Sequence, residues 1–119
     1  MTSLAIWVVA VFFFTMGMVA LFDPERFAEP LGLSPEPLIG TNEIRAVYGG
    51  YGVVVCALIL YSANRPELRP GVFTAVSFSL LGMAAGRLVS AVIERGAHPL
   101  MWTFMFGETV LAGILFSVR

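Results

Sequence analysis

The sequence predicts an all-α fold: an integral membrane four-helix bundle with an interfacial amphipathic helix in the loop between helices 1 and 2. Three observations lead there. Of the 119 residues, 58% are hydrophobic and only 13% charged, whereas soluble domains carry about 25% charged residues. Apolar stretches of about twenty residues, long enough to cross the hydrocarbon of a bilayer, recur four times. Short segments rich in proline, glycine and charge separate them. A soluble globule is excluded by the mean hydropathy of +0.87, and a chain of this length forms one domain, residues 1–119. With a formal net charge of -1 and no basic patch, nucleic acid is excluded as a partner.

The first span covers residues 4–22. It has no basic segment ahead of it and is longer than the apolar core of a secretory signal, so it reads as a retained span. It stops at Asp23-Pro24-Glu25-Arg26, where an aspartate N-cap, a proline at the first helical position and an early glutamate signal a new short helix. From there to Asn42 the chain carries Phe27, Leu31, Leu33, Leu38 and Ile39 among prolines and acids, a composition suited to the membrane surface. The second span covers residues 44–62, the third 72–93 and the fourth 100–118. At about 1.5 Å per residue each span is roughly 28–33 Å long and crosses the hydrocarbon with its backbone paired internally. Four spans put both termini on one side, with Arg65, Arg69 and Arg119 against Glu67. That excess of arginine marks the terminal side as cytoplasmic.

Charged residues inside the spans are the informative ones. Arg87 lies in the third span and Glu108 in the fourth, and each costs about 2.5–3.5 kcal/mol at a helix centre unless compensated. Their midpoint falls between residues 97 and 98, in the turn joining the two spans, so antiparallel neighbours carry them at equal depth. A bidentate ion pair is expected, with Glu108 ionised while Arg87 is present. Such a pair reads equally as a staple between helices and as part of a functional site. Ser90 and Glu94 follow Arg87 at i+3 and i+7 and extend a polar face toward the long loop. Glu43 and Arg45 open the second span about 200° apart. Arg45 is expected to face inward, since Gly49, Gly52 and Cys56 continue its face as a stripe of small residues, and Tyr48 is a candidate lining residue beside it.

Small residues also mark the third span, where Ala75, Ser79, Gly82, Gly86 and Ser90 share a face. The Gly82 to Gly86 spacing lets another backbone approach, and packing within the bundle is preferred here to a dimer seam. The Tyr48-Gly49-Gly50-Tyr51-Gly52 run reads as close packing or as a kink. His98, the one histidine, precedes Pro99 in a turn and reads as an exposed residue at a helix start. Cys56 has no cysteine partner. Met16, Met18, Met101 and Met105 are accounted for by apolar packing. The motifs of zinc hydrolases, dithiol redox centres, phosphate loops and serine triads are missing, so neither a metal nor a cofactor nor a catalytic residue is assigned.

The residues Asn42-Glu43-x-Arg45-x-x-Tyr48-Gly49-Gly50, Gly86-Arg87 and Gly107-Glu108 resemble an uncharacterised bacterial domain-of-unknown-function family of small DoxX-like four-helix membrane proteins. The resemblance spans nearly the whole chain, although the polar start of the second span has a different spacing here, Glu43-x-Arg45. It implies four helices and a bacterial inner membrane, and no activity. The residues themselves suggest a non-enzymatic protein that binds a membrane lipid headgroup or amphipathic small molecule. Its recess is formed by Arg45, Tyr48, Arg87, Ser90, Glu94 and Glu108, with Met101, Phe104 and Met105 as apolar walls. The alternatives are an accessory subunit of a larger membrane complex, or a homo-oligomer, docked through apolar faces, and a membrane-embedded enzyme. Enzyme chemistry is the least favoured, because a carboxylate held ionised by arginine is a poor base near neutral pH. A water-filled proton path would need ionisable residues continuing to the terminal side, and none follow.

Overall fold

The computed structural model describes residues 2–119, and among them there is helix, turn and irregular chain but no strand. Helix α1 (Thr2–Phe22) is followed by a short helix α2 (Pro24–Ala28) and a 3-10 turn, Glu29–Leu31. Irregular chain leads to α3 (Ile39–Ile44), which runs through a wide π-helical turn, Arg45–Gly50, into α4 (Tyr51–Ala63). Helices α5 (Arg69–Glu94) and α6 (Pro99–Ser117) complete the chain. Four stretches are long and apolar enough to cross a membrane: Leu4–Phe22, Ile39–Ala63, Arg69–Glu94 and Pro99–Ser117. The second begins at Ile39, more than a turn ahead of Ile44. Leu38 supplies the sharp bend, with φ 73° and ψ −67° and a hydrogen bond of 3.0 Å from the Ile39 amide to the Pro37 carbonyl. That is the strained γ-turn geometry.

The chain divides into two compact units, one formed by Ile6–Tyr61 and the other by Ser62–Arg119 with the amino-terminal end of α1. In the first unit, α1 buries Ile6, Val9, Ala10, Phe13, Gly17 and Ala20, a stripe at helical spacing. Its opposite face, with Trp7, Val8, Val11 and Phe14, is apolar as well and exposed. An apolar exterior is what a lipid-solvated helix needs and what a water-solvated one avoids.

Glycines bring α1 against the second span. A Cβ on Gly52 would lie 2.9 Å from the Phe13 carbonyl oxygen and 3.0 Å from the Cα of Gly17, and one on Gly17 would lie 2.8 Å from the Gly49 carbonyl oxygen. The two backbones therefore touch where no side chain intervenes. The glycine run thus does both things its composition allows: Gly49 and Gly52 permit close packing, and the helix widens at Arg45–Gly50. Near the end of α1, Ala20, Ala28 and Ile44 form a buried cluster on which Phe27 and Tyr48 pack.

In the second unit α5 and α6 form an antiparallel hairpin. Helix α5 ends with Arg95 in the left-handed region (φ 55°) and the Gly96 amide donating to the Ala91 carbonyl at 3.0 Å, a Schellman closure. His98 then caps α6, its Nδ1 accepting the Leu100 amide at 3.1 Å, ahead of Pro99. At the other end of the hairpin Arg69 donates from Nε and Nη2 to the Val118 carbonyl at 3.0 and 2.7 Å and from Nη1 to the Ala63 carbonyl at 3.2 Å. One guanidinium thereby satisfies acceptors at the C-termini of α4 and α6 that have no partner within their helices.

Replacing Gly52 by alanine should lower stability by about 1–3 kcal/mol, because the atoms in the way are backbone and cannot yield. Gly113→Ala, where an added Cβ meets nothing within 4 Å, should be neutral or stabilising by up to about 1 kcal/mol. Thermal unfolding of the two variants in one detergent checks the contrast; equal midpoints would show that the glycine contact does not hold the helices.

Candidate functional site

The hairpin decides which charges within the apolar helices meet. A tight turn between α5 and α6 forces residues equidistant from it to the same height, and Arg87 and Glu108 face one another as that register predicts. The guanidinium donates twice: Nε to Oε1 of Glu108 at 2.7 Å and Nη2 to Oε2 at 2.9 Å. Both distances are those of charge-assisted hydrogen bonds, in the fork geometry that only arginine offers a carboxylate. Phe104, one turn ahead of Glu108, lies under the guanidinium with its ring centroid 5.1 Å from Cζ, adding a cation–π contact.

The pair is asymmetric. The Glu108 side chain is 5% exposed and that of Arg87 29%. The carboxylate is thus buried, while the arginine side chain is part-exposed. Gly107 precedes Glu108, and the neighbouring Thr109 hydroxyl donates to the Met105 carbonyl at 2.8 Å. Each charge of the pair is balanced by the other at hydrogen-bonding distance.

Among the other candidate residues, Ser90 and Glu94 are exposed on the same helix as Arg87. Arg45 and Tyr48 lie in the π-helical turn of the other unit. Arg45 is exposed, and its Nε donates to the Leu21 carbonyl at 2.9 Å. Tyr48 is half-buried, its ring 5.0 Å from that of Phe27 at an interplanar angle of 45°. The expectation that Arg45 faces inward with Gly49, Gly52 and Cys56 is not met: those three are buried and Arg45 is exposed, because the π-helical turn Arg45–Gly50 breaks the α-helical spacing between them. Among the described residues no group of three His, Cys, Asp or Glu side chains is placed to hold a metal ion.

Two features depart from the sequence expectation or escape it. Gly82 and Gly86 were expected to admit a backbone within the bundle; instead both are exposed, and a Cβ on either would meet nothing within 4 Å. Ala75, Ser79 and Ser90 on the same stripe are exposed too. The reason is that α5 presents its bulkier residues, Phe73, Val76 and Leu80, to the interior. The Arg69 clasp escapes sequence reading because its acceptors are backbone carbonyls, which every residue has. The single hint is an arginine at the start of a span with no acid one turn away.

A family model described as a domain of unknown function (DUF4345) matches residues 1–118. No curated protein and no solved structure matches the chain.

Breaking the ion pair from one side should be far worse than removing it. Arg87→Met or Glu108→Leu alone should cost about 3–5 kcal/mol, each leaving an unpaired charge in an apolar hairpin, and the double replacement should recover most of that. A double-mutant cycle on unfolding in detergent measures the coupling, and additive single effects would show that the two side chains do not act as a pair.

Proposed function

The chain belongs to the DUF4345 family, and we propose that it is a non-enzymatic membrane protein that binds an amphipathic small molecule or a lipid headgroup at the Arg87–Glu108 site. In this reading it is a DoxX-like four-helix bundle of a bacterial inner membrane, with cytoplasmic termini and with α2 and the following loop at the membrane surface. Ser90 and Glu94 are assigned as further ligand contacts beside Arg87, and Arg45 and Tyr48 as ligand contacts within the other unit.

One observation carries the reading: within a hairpin of membrane-crossing length, an arginine holds a buried carboxylate in a bidentate pair while its own side chain is part-exposed beside the Phe104 ring. A charged group and an apolar flank at one place suit the two ends of an amphipathic guest. The apolar exteriors of the helices agree with a lipid environment in which such guests are abundant.

A second reading, an accessory subunit or homo-oligomer docked through α5, is favoured by the open Gly82 to Gly86 face. Purification in mild detergent separates the two: co-migration with another membrane protein supports the subunit, whereas chain with copurified amphiphile supports the binder.

Mass spectrometry of organic extracts from purified protein should detect an amphiphile with the wild type. Arg87→Gln/Glu108→Gln, in which a neutral amide pair replaces the ions, should retain at least about tenfold less, the equivalent of one charge-assisted contact. Equal amounts from the two folded proteins would overturn the binding reading.

A further inference from the structure

The arginines on the loop side of the chain differ in how their charge is met. Arg87 is balanced by Glu108 at hydrogen-bonding distance, and Arg26 has Asp23 at 3.5 Å. Arg45 has neither arrangement: its Nε donates to the Leu21 carbonyl at 2.9 Å, which is neutral. Glu43, the nearest acid in sequence, is two positions away and about 200° round the helix, and it makes no ion pair with Arg45 among the described residues.

The Leu21 contact fixes where this charge sits. Leu21 is the penultimate residue of α1, and its carbonyl belongs to the last turn, where acceptors have no partner within the helix. Arg45 caps that end through Nε, placing its guanidinium where the apolar run Leu4–Phe22 stops and Asp23 begins. In a bilayer this is the headgroup level. With Nε engaged, Nη1 and Nη2 remain as a two-donor fork, the geometry that grips two oxygens of one oxyanion. The exposed loop acids Glu25, Glu29 and Glu36 are screened by solvent over about 8 Å, so the short-range fork decides. Phe27 and Tyr48, packed on Ala20, Ala28 and Ile44, provide an aromatic shelf near the same end of α1 for the less polar part of a guest.

We infer that Arg45, within its own unit, receives the phosphate group of an amphiphile through its two terminal nitrogens. This rests on the reading that the chain binds an amphiphile, and adds the class of its headgroup and the residue that selects it. The phosphate comes from a membrane lipid or from a soluble phosphate compound, and the chemistry at Arg45 is the same.

The full chain in detergent is titrated by native mass spectrometry with dioleoylphosphatidylglycerol and with dioleoylglycerol, which has the same acyl chains and no phosphate. The wild type should bind the phosphate lipid at least about tenfold more tightly, as one charge-assisted contact allows. Arg45→Gln should lose the preference, and Arg45→Lys, a charge without the fork, should keep part of it. Competition by inorganic phosphate assigns the site to a soluble source and absence of competition to lipid, both with Arg45 as receptor. Equal affinity of the wild type for the two lipids overturns the inference without needing any variant to fold, and so does an unchanged preference in folded Arg45→Gln. Failure of the wild type to bind either lipid overturns the amphiphile reading together with this one. Loss of binding only in Arg87→Gln/Glu108→Gln, with Arg45→Gln unaffected, keeps the amphiphile and removes the phosphate.

Discussion

Arginine inside an apolar chain is tolerable only where something receives its protons, and the fold meets that constraint in three ways. Arg87 gives two hydrogen bonds to a carboxylate on the neighbouring helix. Arg69 gives three to the carbonyl ends of α4 and α6. Arg45 gives one to the end of α1 and leaves two nitrogens over. The order tracks what is left for function. The Arg69 fork is spent on helix termini, the Arg87 charge is balanced by Glu108, and the Arg45 charge is matched by no carboxylate of its own unit. In the reading proposed above, an anionic group goes to Arg45 and a dipolar or hydrogen-bonding one to Arg87.

Glycine divides in a parallel manner. At Gly17 and Gly52 a single Cβ would strike backbone, and at Gly49 the Leu21 side chain, so these glycines let α1 lie directly on the second span. That approach brings the Leu21 carbonyl within reach of Arg45, so the cap at the end of α1 depends on the absence of side chains one and two turns away. Gly82 and Gly86 have the spacing usually associated with close helix contact, yet they look outward. A small-residue stripe reports that a backbone can approach, and the surrounding fold decides whether one does.

Membership of a family of unknown function covering residues 1–118 supplies no chemistry, so function has to be argued from the side chains. Fold alone would be a poor guide in any case, since helical membrane hairpins serve binders, subunits and enzymes alike. The features that favour a binder are local: an ion pair with a buried carboxylate and a part-exposed arginine, and a second arginine pinned by one nitrogen at the end of an apolar helix.

The four apolar helices were legible from hydropathy, because a run of about twenty apolar residues has no other stable fate than burial in lipid or protein. The Arg87–Glu108 pairing was legible for a geometric reason: a tight turn leaves an antiparallel hairpin only one register, and two opposite charges equidistant from it must meet. The place of His98 at the start of a helix followed from its position ahead of Pro99, but its cap on the Leu100 amide did not. Which face of each span is buried was not legible, since Phe14 and Phe13, or Val8 and Val9, differ in burial but not in polarity. Neither were the Arg69 and Arg45 contacts, whose acceptors are backbone carbonyls that carry no sequence signature. Composition alone determined the four helices long and apolar enough to cross a membrane; tertiary structure chose the faces and the carbonyls, because steric fit between backbones and the location of unpaired helix ends exist only once the chain has folded.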